Sequence, residues 1–243
     1  TQSANTTSSV RTLADMGIMT NYQTGKLEFN EDKTYLTKFS DALANNAEDM
    51  AKFFANSGTT TDSQVDYVSF SSLTKEGTYA VSVTTLATQG ALTGASTADL
   101  TTLEGGGSFT VDANNDAFTV RIDGILSNEI TLTQQTYNTT AALIAEITAQ
   151  INSDSNLQSA GIGVSVALSG GALTVTSNTY GSSSTVAFTA LDTDTTAELG
   201  FSVASGTTGV DAAGTINGGA AFGDGQFLLA QSASGDANGI KVQ

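Results

Sequence analysis

The chain of 243 residues contains no proline, no cysteine, no histidine and no tryptophan. Without cysteine there is neither a disulfide staple nor a thiolate metal site. Without histidine the commonest general base and metal ligand is gone. Average usage of ~5% would place about 12 prolines in such a chain. With none, no X-Pro isomerisation slows refolding, which suits a protein that folds after export. Positive charge is also scarce, with 8 Lys and Arg against 24 Asp and Glu, for a net charge of −16. Nucleic acid, whose phosphates need Lys and Arg, is therefore a poor partner, and anionic lipid is disfavoured for the same reason. A surface of this sign favours solubility and repulsion between copies. No run of 18 apolar residues occurs, so membrane insertion is not expected, and the first residues show no signal-peptide pattern. We read the chain as an excised piece of a longer protein.

Small and β-branched residues fill the space: 25 Gly, 39 Thr and 26 Ser. Thr suits a pleated, half-buried surface, so short strands and many turns are expected, in an α+β, β-rich fold. Residues 1–12 are polar. Gly25 marks a turn, Lys26 to Phe29 reads as a strand, and Asn30 caps a helix with Glu31 and Asp32 in its first turn. Leu36, Phe39, Leu43, Ala47, Met50 and Phe54 then recur in steps of three or four, one helix face, broken near Asn45-Asn46. That face is read as core, each buried side chain contributing ~1.5–3 kcal/mol. Residues 56–63 have linker composition.

Beyond the linker the period changes to two. Tyr79, Val81 and Val83 alternate with small polar residues. From residue 108 the pattern is a run of hairpins: Phe109 and Val111, a polar turn over 112–116, then Phe118, Val120 and Ile122, a turn at Asp123-Gly124, and a return strand at Ile130 and Leu132. A helix capped by Thr139 or Thr140 puts Leu143, Ile144, Ile147 and Ile151 on one face and ends near Asn152-Ser153-Asp154. Strand patterns follow at Val164 to Leu168, Leu173 to Val175 across Gly170-Gly171, Val186 with Phe188, Phe201 with Val203, and Ile240 with Val242.

Chemistry finds little purchase. The glycine-rich stretch over 214–225 lacks the Lys that a phosphate-binding loop needs, and Gly105 to Gly107 reads as a bare turn. Asp112, Asn114, Asp116 and Asp123 fall at calcium-loop positions 1, 3, 5 and 12, but Ala117 stands where the turn glycine belongs, so a polar hairpin tip is the favoured reading. Asp192, Asp194 and Glu198 form a second acidic spot of the same standing. Glycoside hydrolysis needs a carboxyl raised by an apolar pocket, whereas these acids sit in polar, turn-like stretches. A serine nucleophile has no histidine partner. An enzyme is not expected, nor a catalytic residue, cofactor or metal.

The segment LADMGIMTNYQTGKLEFNEDKTYLTKFSDALANNAEDMAKFF, residues 13–54, resembles a stretch of the flagellar filament cap family (FliD, hook-associated protein 2). Leu13, Gly17, Ile18, Gly25, Leu27, Ala42, Leu43 and Phe54 carry the likeness. GTYAVSVTTLATQGAL, with Tyr79, is similar to the family's Gly-x-Tyr-x-Val-x-Val strand, and INGGAAFGDGQFLLAQSASGDANGIKV, with Ile216 and Gly225, to its return segment. Between them, residues 109–188 resemble a flagellin-type insert. The family's long terminal coiled-coil helices are not in this stretch.

The resemblance implies an extracellular structural protein at the flagellum tip, exported without a cleaved signal peptide. Its partners would be flagellin, whose assembly it promotes, and other copies of itself in a cap ring, with surface glycans if it also serves in adhesion. A secreted adhesin or a flagellin-like axial protein is the alternative. The expected organisation is nested: a helical lobe over 1–62, a discontinuous β-domain over 63–97 and 206–243, and an inserted domain over 98–205.

Overall fold

The structure, a computed structural model, describes residues 13–21, 24–29, 33–45, 47 and 58–243. It is α+β and β-rich, and the chain divides into two compact units, Thr1–Ser69 and Phe70–Gln243.

In the first unit a 3-10 turn at Leu13–Met16 leads into β1 (Ile18–Thr20), which pairs antiparallel with β2 (Leu27–Phe29). Gly25, at φ +70°, donates its N–H to the Asn21 carbonyl at 2.7 Å, and Asn21 Oδ1 accepts from the Thr24 N–H at 3.2 Å. The turn needs a left-handed backbone that glycine adopts without strain. Helix α1 (Lys33–Asn45) and β3 (Tyr67–Ser69) complete the described elements of this unit. The sequence reading is corrected at Leu43, expected on the core face of the helix and 55% exposed; Leu27, in β2, is 59% exposed. Phe54, and the second helical piece expected to end there, lie outside the described residues.

The second unit contains a sheet we term the return sheet, with strand order β18 (Lys241–Val242), β17 (Phe227–Ala230), β16 (Gly219–Asp224), β15 (Ala213–Ile216), β4 (Val81–Thr85). Two-residue turns set its registers: Ile216 opposes Gly219 around Asn217-Gly218, and Asp224 opposes Phe227 around Gly225-Gln226. Asn217 and Gly218 both have positive φ, the geometry that matches the twist of paired strands. Ile216, Leu228, Ala230 and Val242 are buried, and the 3-10 segment Ser232–Ala237 packs over β16.

The remaining strands surround a separate and larger core. β5 (Gln89–Thr93) pairs with β12 (Ala172–Tyr180), which also pairs with β11 (Val164–Ser169). β7 (Ala117–Ile122) lies between β13 (Val186–Leu191) and β8 (Ile125–Leu126); β14 (Ala204–Ser205) flanks β13, and β9 (Ile130–Thr131) also joins β7. β6 (Phe109–Thr110) pairs with β10 (Thr136–Tyr137). Helix α2 (Ala98–Glu104) buries Leu100 and Leu103; α3 (Thr140–Ser153), capped by Thr139, buries Leu143, Ile147 and Ile151. Short helices α4 (Ser155–Ser159) and α5 (Thr195–Glu198) follow. One buried apolar cluster runs from Leu92 to Phe201 and includes no residue of the return sheet.

Three details depart from the sequence reading. The strand after Asp123-Gly124 is β8, and Ile130 returns to β7 only afterwards, opposite Phe118. Phe201 is buried outside any strand, its ring stacked at 4.2 Å on Phe188, while Val203 is 63% exposed. Residues 89–93, expected with the flanking strands, pair inside the larger core through β12.

Phe188 also contacts Phe118 at 5.3 Å, so one ring bridges two others. Phe188→Ala should therefore cost about 3–5 kcal/mol in urea denaturation followed by far-UV circular dichroism.

Candidate functional site

Of the acidic residues singled out in the sequence, Asp112, Asp116, Asp192 and Glu198 come together and Asp123 lies apart, and each of these five carboxylates accepts from a protein donor. The Asp112 carboxylate accepts from the Asn114 N–H at 2.8 Å, and Asp116 accepts from Gln134 at 2.6 Å. Asp123 is bound by the Thr185 N–H and the Ser177 hydroxyl, both at 2.8 Å, in a different part of the fold. The second acidic spot docks on the first: Asp192 accepts from the Ala117 N–H at 2.9 Å, the Asp194 N–H donates to the Asn114 carbonyl at 2.9 Å, and Glu198 accepts from the Asn115 side chain. Asn115 itself is fully buried. The two stretches form a latch between the hairpin before β7 and α5. Among the described residues no group of three or more acids is arranged to hold a metal ion.

A second tie joins the larger core to the return sheet. Asp211 Oδ1 accepts from the Ser182 N–H at 2.9 Å and the Gly225 N–H at 2.8 Å. These hydrogen bonds, from Ser182 and then Gly225, hold its carboxyl below the ordinary range. Beside it the Thr88 N–H donates to the Val210 carbonyl, the Val210 N–H to the Thr88 hydroxyl and the Gly181 N–H to the Thr88 carbonyl, each at 2.9 Å. Gly181, at φ +96°, leaves no space for a side chain: an added Cβ would lie 2.6 Å from Gly225 Cα.

Three family-motif positions meet at the return sheet. Tyr79 places its hydroxyl 2.8 Å from the Lys75 carbonyl and 3.1 Å from that of Asp236, linking the two chain segments that flank the larger core. Ile216 is fully buried opposite Val81, and Gly225 meets Asp211 and Ala212. Leu13, Gly17, Ile18, Gly25, Leu27 and Leu43 belong to the first unit. There Gly17 is buried at φ +74°, and Leu13 and Ile18 are half-buried.

Sequence reasoning missed Asp154 and Asp211. Asp154 ends α3 and caps α4: Oδ1 accepts from the Asn156 and Leu157 N–H groups, and Oδ2 from the Asn128 N–H and side chain, at 2.9–3.1 Å. Burial pushes its carboxyl up, and these donors more than offset that, leaving it below the ordinary range. Glu146 behaves alike: burial raises it, and hydrogen bonds from Thr133 and Gln150 bring it below the usual value. An Asp at a helix start is a legible cap. Asp211, between Val210 and Ala212, carries no such signal.

Removing the Asp154 carboxylate strands three N–H groups, so Asp154→Ala should cost about 2–3 kcal/mol in urea denaturation. Because these folded-state values are depressed, the stability they contribute is complete above the unfolded values near 3.8 for Asp154 and 4.5 for Glu146. It is lost as pH falls through the lower folded values. The urea midpoint should drop between about pH 5 and pH 2, and less steeply in Asp154→Asn. Gly181→Ala should destabilise by about 1–3 kcal/mol, read as a lower thermal midpoint.

Comparison with known proteins adds the family. Curated protein sequences give no match. Among solved structures, the flagellar cap protein FliD D2-D3 domains from Escherichia coli are 19% identical, with a TM-score of 0.47 over 78% of this chain and 92% of that one. The FliD D1-D2-D3 domains from the same organism are 21% identical at a TM-score of 0.47, over 79% of this chain and 54% of that one. The D2-D3 domains from Serratia marcescens are 18% identical at a TM-score of 0.45, over 73% and 89%. The family model described as flagellar hook-associated protein 2 C-terminus matches residues 1–156. That is more than half of the 243 residues, and the chain belongs to this flagellar hook-associated protein 2 family.

Proposed function

We propose that the protein is a structural component of the flagellum that acts at the filament tip, as a cap ring of several copies under which exported flagellin subunits fold into place. The match of residues 1–156 to the hook-associated protein 2 family carries this reading. The structure is compatible with it. Its acids tie loops and modules together, and no described helix is long and apolar enough to cross a membrane. We assign the family-motif positions Tyr79, Ile216 and Gly225 a structural role in closing the return sheet around the inserted module. Gly17 and Gly25 shape turns in the first unit.

The nested organisation belongs to this proposal, with the insert running between Thr88 and Val210. Its supports are the Thr88–Val210 hydrogen bonds, the pairing of β4 with β15 across the insert, and a buried cluster confined to Leu92 through Phe201.

Two experiments test these readings. Deleting the gene should leave cells with intact hooks that shed monomeric flagellin. Unchanged swimming with loss of glycan binding would point instead to an adhesin. Replacing residues 89–209 by a short Gly-Ser linker should leave a remainder that still unfolds cooperatively by circular dichroism; a protease-sensitive, molten remainder would refute the nesting.

A further inference from the structure

The strands β15 to β18 follow one another in sequence, and their turns and their buried Ile216, Leu228, Ala230 and Val242 all lie after the insert. β4 reaches them from its other side. The β4–β15 ladder has four paired residues and a bulge between Val83 and Thr85, with Val81 half-buried and Ser82 to Thr85 exposed. A strand with so little apolar burial contributes little to its own docking.

One turn of the insert, residues 181–184 after β12, meets everything that crosses between the two cores. The Gly181 N–H donates to the Thr88 carbonyl at 2.9 Å, the Gly90 N–H to the Ser184 hydroxyl at 2.7 Å and the Gly209 N–H to the Ser184 carbonyl at 2.9 Å. The Ser182 N–H donates to the Asp211 oxygen that also accepts from Gly225. The turn is closed by the Ser184 N–H on the Gly181 carbonyl at 2.9 Å, and Ser184 is fully buried. Four consecutive residues thus hold the incoming chain, the outgoing chain and the β16–β17 turn.

We propose that this turn is a keystone that makes docking of β4 depend on the folded insert. With the insert folded, Thr88 and Val210 are held side by side and β4 lies on β15. With the insert open, β4 releases, together with the Tyr79 hydroxyl contacts to Lys75 and Asp236, while β15 to β18 stay paired. The reason is loop closure. An open insert makes residues 89–209 a loop of 121 residues. Closure weakens as roughly the three-halves power of length, so docking falls about fiftyfold against a linker of about eight residues. The short, bulged β4 ladder has little to set against that loss, whereas the pairing of β15 to β18 closes only short loops. The inference rests on the nested reading and adds to it that the insert controls the flank before it and not the strands after it.

The test follows hydrogen exchange by mass spectrometry in the full chain. Leu143 is fully buried in the insert core, so Leu143→Asp should open the insert, read as lost protection in β7 and β13. In that chain β4 should exchange about fiftyfold faster than in a chain whose residues 89–209 are replaced by a Gly-Ser linker of about eight residues. β16 and β17 should keep their protection in both. Ser184→Ala leaves the insert folded but removes the acceptor of the Gly90 N–H; it should speed exchange at β4 about tenfold and leave β16 and β17 unchanged. β4 protected equally in the Leu143→Asp and linker chains would overturn the proposal. So would unchanged exchange at β4 in Ser184→Ala, or protection of β16 and β17 that is lost with the open insert and kept with the linker. A linker chain unprotected throughout would instead refute the nesting on which the inference rests.

Discussion

Ionised carboxylates accepting backbone N–H groups are the interaction on which much of the second unit rests. Glu104 receives the Gly171 N–H, Glu146 that of Thr133, Asp123 that of Thr185, Asp192 that of Ala117 and Asp154 those of three residues. Each bond joins a loop to an element distant in sequence or caps a helix start. Charge-assisted bonds of this kind are roughly twice as strong as neutral ones and need no cation. A chain without cysteine, proline or histidine, with three basic residues beyond residue 70 (Lys75, Arg121 and Lys241), thus fastens several of its loops through acids. Several of the acids that read as surface charge serve instead as ties between loops.

The same device joins the larger core to the return sheet. Asp211 receives N–H groups from the turn after β12 and from the β16–β17 turn, beside two chain crossings at Thr88 and Val210. Gly181 and Gly225 let the backbones approach to a distance that a side chain would prevent.

Some of this was legible early. Hairpin turns at Asp123-Gly124 and Gly170-Gly171, the Thr139-capped helix and the alternation at Tyr79 to Val83 each follow from a local rule, because turn chemistry and side-chain period act over a few residues. The α2 helix was overlooked although Thr97 caps it and Leu100 and Leu103 share its buried face. Tyr79, Ile216 and Gly225 were singled out by the resemblance to the family. That the three converge on one sheet was not legible, since 137 residues separate Tyr79 from Ile216.

The sequence by itself determined the class of secondary structure, the positions of the turns and the absence of histidine, thiol and proline chemistry, because these depend on composition and nearest neighbours. Tertiary structure alone decided which acids became ties, that β5 joins the larger core, that Leu43 faces outward and that β4 ends its sheet. Those outcomes depend on which distant backbone group, core or open space each residue meets, and a one-dimensional pattern does not encode a partner more than a hundred residues away.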